Sequence, residues 1–599
     1  MQNGSWPIGI PGGSTKRPIG LERALLCLCG VAAACVGVAR AGNVIDAAHD
    51  AGTARVLGLV PQPWRALDVV VGALFAIVPT GTRIMRAEIG GAVVVGIAAA
   101  ALFDVTRRLL SRCAHAPYLA PVIAAIATLA AVLEPAWQRE GATVGGSATG
   151  ASLVLVTLAL ALHALERPTR ARSSAFMVVL ALSFGQEPLV GLASLGGVGV
   201  LAASVPAART AAARWSHSDL RAMTTVGILG LAPFVVALAR TRASGAPLVA
   251  ALLYEWAGER GASGGDSLFH LASANLGGVG AAMTGAGLAI GLVAPSGRPI
   301  TLALTATVVV GCLSMAAGSP AGPTRFGAPV LAVIAAAWAV AAVGLQAAVR
   351  LIDRARVPFA RWAAAMVVLL EVTLPVEAVD ACLAAQRPRT DAWDALVWGR
   401  LPTGAVVLVS DRRVYERAQA ALASGGLPDQ VTIVPAFSGG IPPARALLVD
   451  PSRRRLWRDL ALDGKPSEAS LAALADGSPL FMVYGPGWDR ALARHLVPDG
   501  LFDRYTPEPR GASDRWRALD DFRPIRDELT VLVAHDPDLA EATGDCLRAR
   551  LSACVAAGER DVALRAAEDA RIIAPANPSV AKMTESLRSS GGSDRVRGH

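Results

Sequence analysis

Long apolar runs separated by short loops dominate the first two-thirds of the sequence. A helix rises about 1.5 Å per residue, so about 20 apolar residues cross the ~30 Å hydrocarbon core of a bilayer. No soluble fold needs so many such runs in series. The runs are 24–39, 87–105, 118–134, 148–165, 174–186, 188–204, 223–240, 273–294, 300–318, 328–348 and 361–380. The fold class predicted from them is a mainly α polytopic membrane bundle with about 11 spans over 21–383.

The net charge of +9 comes from arginines that lie mainly in every second loop. Because they are not gathered on one face with aromatic residues, they do not indicate nucleic-acid binding. They fit the positive-inside rule, with the flexible tail 1–20 in the cytoplasm. The basic loops would then be cytoplasmic: Arg107, Arg108 and Arg112; Arg167, Arg170 and Arg172; Arg209, Arg214 and Arg221; Arg298; and Arg350, Arg354, Arg356 and Arg361. The sequence predicts a multi-pass protein of a bacterial inner membrane with a periplasmic C-terminus.

The first external loop is neither a span nor an ordinary loop. Residues 46–58 form a polar amphipathic stretch, and the prolines of Val-Pro-Gln-Pro-Trp at 60–64 then break any helix. A second apolar stretch at 64–78 is short for a crossing. If it crossed, every later loop would be inverted. Both stretches are therefore predicted to be helices on the outer membrane surface.

Strand-like and helix-like runs alternate beyond residue 384. The strand-like runs are 405–410, 431–434, 446–449 and 480–484. This alternation predicts a small extracytoplasmic α/β domain over 384–516 with a mainly parallel sheet. The region 517–599 is predicted to be helical, with a hairpin at 546–588 that resembles one tetratricopeptide unit. Cys546 and Cys554 form a disulfide or remain as two thiols; the sequence leaves both open.

Asp46, His49 and Asp50 cluster at the start of the first surface stretch. Spacings of three and four place them on one side of a helical turn. A carboxylate there can take a proton from an acceptor hydroxyl, and a nearby histidine can tune its pKa. The alternative is that Asp46 only caps a surface helix. No metal-ligand cluster appears among the scattered histidines.

The order of a span, an Asp-led helix, a Pro-x-Pro break, a second surface helix and a span ending in Arg107–Arg108 resembles the GT-C glycosyltransferases. The chain is most similar to a bacterial domain-of-unknown-function family related to protein O-mannosyltransferases. Leu57-Gly58-Leu59, Pro61-Gln62-Pro63, Glu134-Pro135-Ala136-Trp137 and Gly185-Gln186-Glu187 fall where that family has its motifs. The resemblance covers about 22–510.

The resemblance implies Asp46 as the base and Arg86 as a ligand of the donor phosphate, for which a guanidinium offers a planar fork of donors. The alternative for Arg86 is an anchor of its span at the interface. Several family positions differ: His49 replaces a glutamate, Gln62 a histidine, and Gln186–Glu187 a pair of histidines. Asp50 and Glu187 are possible accessory residues.

The first hypothesis is a membrane glycosyltransferase that uses a polyprenyl-phosphate sugar as donor and a protein or an envelope glycan as acceptor. No cofactor is expected, and a divalent metal stays an open question. The second hypothesis is a catalytically inactive envelope scaffold that binds a partner through its C-terminal region. A transporter is a weaker third, because matched pairs of broken helices are not evident.

Overall fold

The structure is a computed structural model. It describes residues 19–41, 64–79, 81, 83–113, 119–141, 147–166, 168–205, 216–243, 266–316, 328–354, 390–428, 430–436, 451–485, 487–534, 536–575 and 577–596. Asp46, His49, Asp50 and the predicted helix 46–58 lie outside these residues. So do the eleventh apolar run, 361–380, and the predicted strand 446–449.

The N-terminal region is a bundle of apolar helices. Its helices are α1 (Ile19–Arg40), α2 (Ala66–Phe75), α3 (Arg83–Cys113), α4 (Ala120–Leu133), α5 (Pro135–Gly141), α6 (Ala148–Glu166), α7 (Arg170–Gln186), α8 (Pro188–Ser204), α9 (His217–Leu229), α10 (Ala232–Ala243), α11 (Asp266–Val293), α12 (Arg298–Ala316) and α13 (Ala328–Arg354). Four of the described helices are long and apolar enough to cross a membrane, or five if α9 and α10 count as one bent span. Shorter apolar helical segments of 10–17 residues lie in α2, α4, α8, α11 and α12. The bundle is thus a membrane domain, and eleven crossings stay a prediction.

Small residues bring α1 and α3 into close contact. A Cβ on Gly96 would lie 2.7 Å from the carbonyl oxygen of Gly30, and a Cβ on Gly37 would lie 2.7 Å from the Cβ of Ala92. Glycine and alanine at such positions let helix backbones approach within a bilayer, where van der Waals packing drives association. The helices run antiparallel, so the end of α1 lies beside the start of α3. We call this end of the bundle the α2 end, and the opposite end the Asp104 end.

Ionic side chains join α1, α3 and α6 at the Asp104 end. Arg108 Nε donates to Asp104 Oδ2 (2.8 Å) and Arg107 Nη1 to Glu22 Oε2 (2.7 Å). Glu166 accepts from Arg112 (2.7 Å) and from Arg108, and His163 Nε2 lies 3.1 Å from Asp104 Oδ2. Because Asp104 has these partners, its charge is compensated inside the bundle, as the cost of burying a charge requires.

The C-terminal region contains a five-stranded sheet in the order β2-β1-β3-β5-β4. Strands β1, β2 and β3 are parallel, while β5 is antiparallel to both β3 and β4. The elements are β1 (Val406–Val409), α14 (Arg412–Ser424), β2 (Thr432–Pro435), α15 (Pro451–Asp463), α16 (Glu468–Ala475), β3 (Leu480–Val483), α17 (Arg490–Ala493), β4 (Leu496–Asp499) and β5 (Phe502–Tyr505). A small α/β domain is therefore present, and α14 contacts α3 of the bundle.

Four helices follow the sheet: α18 (Ala512–Val533), α19 (Pro537–Ala556), α20 (Arg560–Ile573) and α21 (Pro578–Val596). Gly558, with φ of 83°, forms the turn of the predicted hairpin. Leu547 and Ile573 belong to the same apolar core as the strands Val406–Val409 and Leu480–Val483. A second apolar cluster joins Leu551, Val562 and Ala567 of the hairpin to Leu519 of α18. One helical hairpin cannot bury its own apolar face, and here that face packs partly on the sheet core and partly on α18.

Candidate functional site

The proposed site lies at the α2 end, where the first loop leaves α1 and returns to α2. Asp46, His49 and Asp50 are outside the residues that the structure describes. The described residues around this loop are 64–68 at its exit, the start of α3, and the break between α7 and α8. Arg86 and Glu187, two of the predicted site residues, both lie in this group.

Gln186, the last residue of α7, holds the exit of the first loop with three hydrogen bonds. Its carbonyl oxygen accepts from Arg65 N (2.8 Å), and its side-chain Oε1 accepts from Leu67 N (3.2 Å). Its Nε2 donates to Asp68 Oδ2 (2.7 Å). We call this set of bonds the Gln186 lock. It fixes residues 65–68 relative to the end of α7.

Two features next to the lock restrict the same segment. Trp64 stacks on Phe234 of α10, with ring centroids 4.8 Å apart. Arg65 has φ of 60° and ψ of 32°, a left-handed conformation that is unfavourable for a non-glycine residue by about 1–2 kcal/mol. Such conformations persist only where the surrounding structure enforces them, and they concentrate at functional sites.

Arg86 lies in the first turn of α3 and reaches back to the end of α2. Its Nη1 donates to the carbonyl oxygen of Ala76 at 2.8 Å and lies 3.5 Å from that of Val78. The carbonyl end of a helix carries partial negative charge, so a guanidinium is favourable there. Arg86 therefore has a structural contact in addition to its predicted phosphate role.

Buried carboxyl groups collect at this end, and most of them were not predicted. Glu88 is 0% exposed and Asp68 is 1% exposed. Glu88 lies one helical turn before Ala92, which faces Gly37 of α1, so Glu88 lies on the side of α3 that faces α1. Both lie in apolar runs, where sequence reasoning gave priority to the polar stretch 46–58.

The segment at 134–141 closes the same end. Trp137 is fully buried and donates from Nε1 to the carbonyl oxygen of Leu331 in α13 (3.1 Å). Glu140 Oε2 accepts from Ser147 N (3.0 Å). The Glu134-Pro135-Ala136-Trp137 motif thus attaches α5 to α13.

Glu187 occupies the break between α7 and α8. It has an extended backbone, with φ of −163° and ψ of 132°, and Pro188 starts the next helix. The side chain is neither buried nor fully exposed. The predicted helix break is confirmed, and the break puts Glu187 next to the Gln186 lock.

Among the residues that the structure describes, the ligand position expected for the sheet of the α/β domain is occupied by a helix of the same chain. Ligands of open α/β sheets bind at the carboxyl ends of strands where the strand order reverses, here between β1 and β3. Asp411 follows β1, caps α14 through Arg413 N (2.9 Å), and lies 3.3 Å from Arg548 Nη2 of α19. Arg550 of α19 binds Asp503 Oδ1 (3.0 Å) and the carbonyl oxygen of Gly500 (2.7 Å). Helix α19 therefore fills this position.

A disulfide between Cys546 and Cys554 is excluded, so that alternative was wrong. Both thiols are buried and free on α19, eight residues apart. This spacing corresponds to about 12 Å along a helix, well beyond the 4.4–6.8 Å between the Cα atoms of a disulfide. Among the described residues, no three His, Cys, Asp or Glu side chains are arranged to hold a metal ion.

The bundle with its attached α/β domain has a GT-C-like fold. It is similar to the crystal structure of ArnT from Cupriavidus metallidurans in the apo state, with a TM-score of 0.50 and 14% sequence identity. The match covers 81% of this chain and 97% of that chain. By sequence, no protein-family model and no curated protein matches. The predicted fold class is confirmed, whereas the relation to O-mannosyltransferases stays a prediction.

Proposed function

We propose that this protein is a GT-C-type membrane glycosyltransferase. Its donor is a polyprenyl-phosphate sugar, and its acceptor is a protein or an envelope glycan on the outer face of a bacterial inner membrane. The observation that carries the proposal is the GT-C-like fold over 81% of the chain. The fixed exit of the first loop at the α2 end supports it, because reacting groups must be held in a defined geometry.

Asp46 is the proposed general base, which takes the proton of the acceptor hydroxyl as that oxygen attacks the sugar. The polyprenyl phosphate leaves with the electrons of the bond between sugar and phosphate. Arg86 is the proposed ligand of that phosphate, since charge that develops on a leaving group is stabilised by a fixed cation. His49, Asp50 and Glu187 are proposed accessory residues.

The test uses full-length protein in nanodiscs with radiolabelled undecaprenyl-phosphate sugars carrying mannose, glucose, galactose or a pentose. Membranes from a strain that lacks the gene supply acceptors. Replacing the proposed base in Asp46→Asn should lower the transfer rate by about 10²–10⁴-fold. The matched control is Asp463→Asn, at an exposed aspartate of the α/β domain. Its transfer rate should equal that of the wild type.

Transfer by Asp46→Asn at the wild-type rate would remove this residue from the mechanism. A wild type that transfers none of the four sugars and does not bind undecaprenyl phosphate would contradict the proposed activity. The scaffold hypothesis would then remain.

A further inference from the structure

The Gln186 lock joins two segments that are 118 residues apart in sequence. One is the exit of the first loop, and the other is the break that carries Glu187. Both side chains of the lock are buried, Gln186 being 3% exposed and Asp68 1% exposed. Buried polar groups need hydrogen-bond partners, so the lock is specific for the atoms that form it.

A glutamine suits this position for a chemical reason. Its side-chain amide offers an oxygen acceptor and an NH2 donor in one plane. Here the oxygen accepts from the backbone of Leu67 and the nitrogen donates to the carboxylate of Asp68. The bond to a charged acceptor is of the stronger kind. One side chain therefore fixes both the backbone and the first turn of α2.

The lock also acts on the least favourable backbone conformation of this region. Arg65 N donates to the carbonyl oxygen of Gln186, and Arg65 is the residue with positive φ. The loop therefore enters α2 in a conformation that an isolated chain avoids. Its exit is held in place by the end of α7, and the loop that carries Asp46 is tied at that point.

We propose that Gln186 and Asp68 are a positioning pair for the first loop. They fix residues 65–68, through which the chain passes from the predicted base Asp46 to α2, relative to the break that carries Glu187. This inference rests on the proposed function of the site. Neither residue needs to touch the donor or the acceptor, because a group misplaced by about 1 Å can lower a rate by about 100-fold.

The first experiment measures the lock without any substrate. Amide hydrogen exchange is followed for peptides that contain residues 64–78, in full-length protein in nanodiscs. Gln186→Ala removes the acceptor of the Leu67 amide, so exchange in this segment should be at least tenfold faster. The matched control is Gln346→Ala in α13, which removes another buried glutamine and should leave exchange at 64–78 unchanged. Unchanged exchange in Gln186→Ala would overturn the lock.

The second experiment is a double-mutant cycle on the transfer rate. In Gln186→Glu, a carboxylate oxygen takes the place of the Gln186 Nε2 donor, which lies 2.7 Å from Asp68 Oδ2. Two carboxylates then face each other without a donor between them. The kcat of this variant should fall at least tenfold, with KM for the undecaprenyl-phosphate sugar within threefold of the wild type. In Asp68→Asn/Gln186→Glu, the asparagine amide donates to the glutamate, while the other glutamate oxygen still accepts from Leu67 N. The kcat of this double variant should be at least a third of the kcat of the single variant Asp68→Asn.

The outcomes separate the two proposals. A double variant as slow as Gln186→Glu would overturn the positioning pair, because a matched donor and acceptor would then give no rescue. So would fast exchange at 64–78 in Gln186→Ala with kcat equal to that of Gln346→Ala. A wild type without transfer would overturn the proposed function, whereas the exchange experiment would still decide whether the lock exists.

Discussion

The guanidinium of Arg86 binds the carbonyl end of α2, and the same side chain is the proposed ligand of the donor phosphate. Sequence reasoning gave two interpretations of this residue, a phosphate ligand and an anchor of its span. The structure shows a contact with the carbonyl oxygen of Ala76 that neither interpretation contained. A sequence pattern does not indicate which backbone carbonyl a side chain will bind, because every residue has one.

Arg86→Lys tests the phosphate role. A lysine retains the charge but lacks the planar fork of the guanidinium. It is therefore less able than arginine to bind the carbonyl oxygen of Ala76 and a phosphate at the same time. We expect the affinity for undecaprenyl phosphate in nanodiscs to fall at least tenfold, by about 1.4 kcal/mol or more. Arg298→Lys is the control, because Arg298 Nε also donates to a helix carbonyl, that of Leu292 at 2.8 Å. Equal losses in both variants would indicate a structural role alone.

The raised pKa of Asp545 predicts how the stability of the protein depends on pH. Burial raises this pKa to about 6, the Asp411 carboxylate also raises it, and Arg548 and Arg413 oppose the shift. A carboxyl group with a raised pKa binds more protons when folded than when unfolded, so stability falls as the pH rises from about 4 through 6.

Relative to Asp545→Asn, the wild type should therefore lose stability between about pH 4 and pH 7. The difference is about 3 kcal/mol, because the pKa rises from 3.8 to about 6 and each pKa unit corresponds to about 1.4 kcal/mol. Thermal unfolding of the full-length protein across this range measures it. The exposed Asp463→Asn serves as control, and a wild type that follows Asp545→Asn at every pH would contradict the expectation.

Among the elements, the long apolar helices and the parallel strands were predictable because each carries a strong local pattern. The hairpin of β4 and β5 was not predicted, since its strands have only four residues each. The run 223–240 was expected to be one span, yet α9 and α10 meet at an angle of 43°. A Cβ on Gly230 at this bend would lie 2.4 Å from the carbonyl oxygen of Val178. Such tertiary contacts are not encoded in periodicity.

The contact of α1 with α3 gives a prediction for two glycines. In Gly96→Ala the new methyl group would meet the backbone oxygen of Gly30 at 2.7 Å, and a backbone cannot move aside cheaply. We expect a loss of about 1–3 kcal/mol, as for other overpacked sites. A Cβ on Gly20 of α1 meets nothing within 4 Å, so Gly20→Ala is the matched control. Thermal unfolding in detergent should separate the two variants, and equal stability would mean that the helices are not in close contact.

For the whole molecule, the two ends of the bundle differ in charge chemistry. Arg107, Arg108 and Arg112 lie at the Asp104 end together with their acidic partners, whereas the α2 end contains the buried carboxyl groups of Asp68 and Glu88. The arginine pattern of the sequence correctly grouped the first set. The second set could not be recognised, because Asp68 and Glu88 lie in apolar runs and are buried only by the packing of the helices.

This asymmetry leads to a prediction of orientation. The Asp104 end should face the cytoplasm, since arginine-rich loops are retained there. Reporter fusions after Arg108, Arg172, Arg221 and Arg356 should report a cytoplasmic position, and a fusion after Pro388 a periplasmic one. A cytoplasmic signal after Pro388 would mean that the number of crossings before it is even, and that 64–78 or another run was wrongly assigned.

The two thiols of α19 have a consequence for following the protein during its biogenesis. Burial raises the pKa of Cys554 to about 12 and that of Cys546 well above its usual value. Cys546 is buried in the core shared with the sheet, and Cys554 is buried in the cluster of the C-terminal helices. A thiol reacts with alkylating reagents as its thiolate. The folded domain therefore protects both positions, and an open chain exposes them. The rate at which these two cysteines are alkylated therefore measures the opening of the C-terminal region, and the measurement needs no engineered probe.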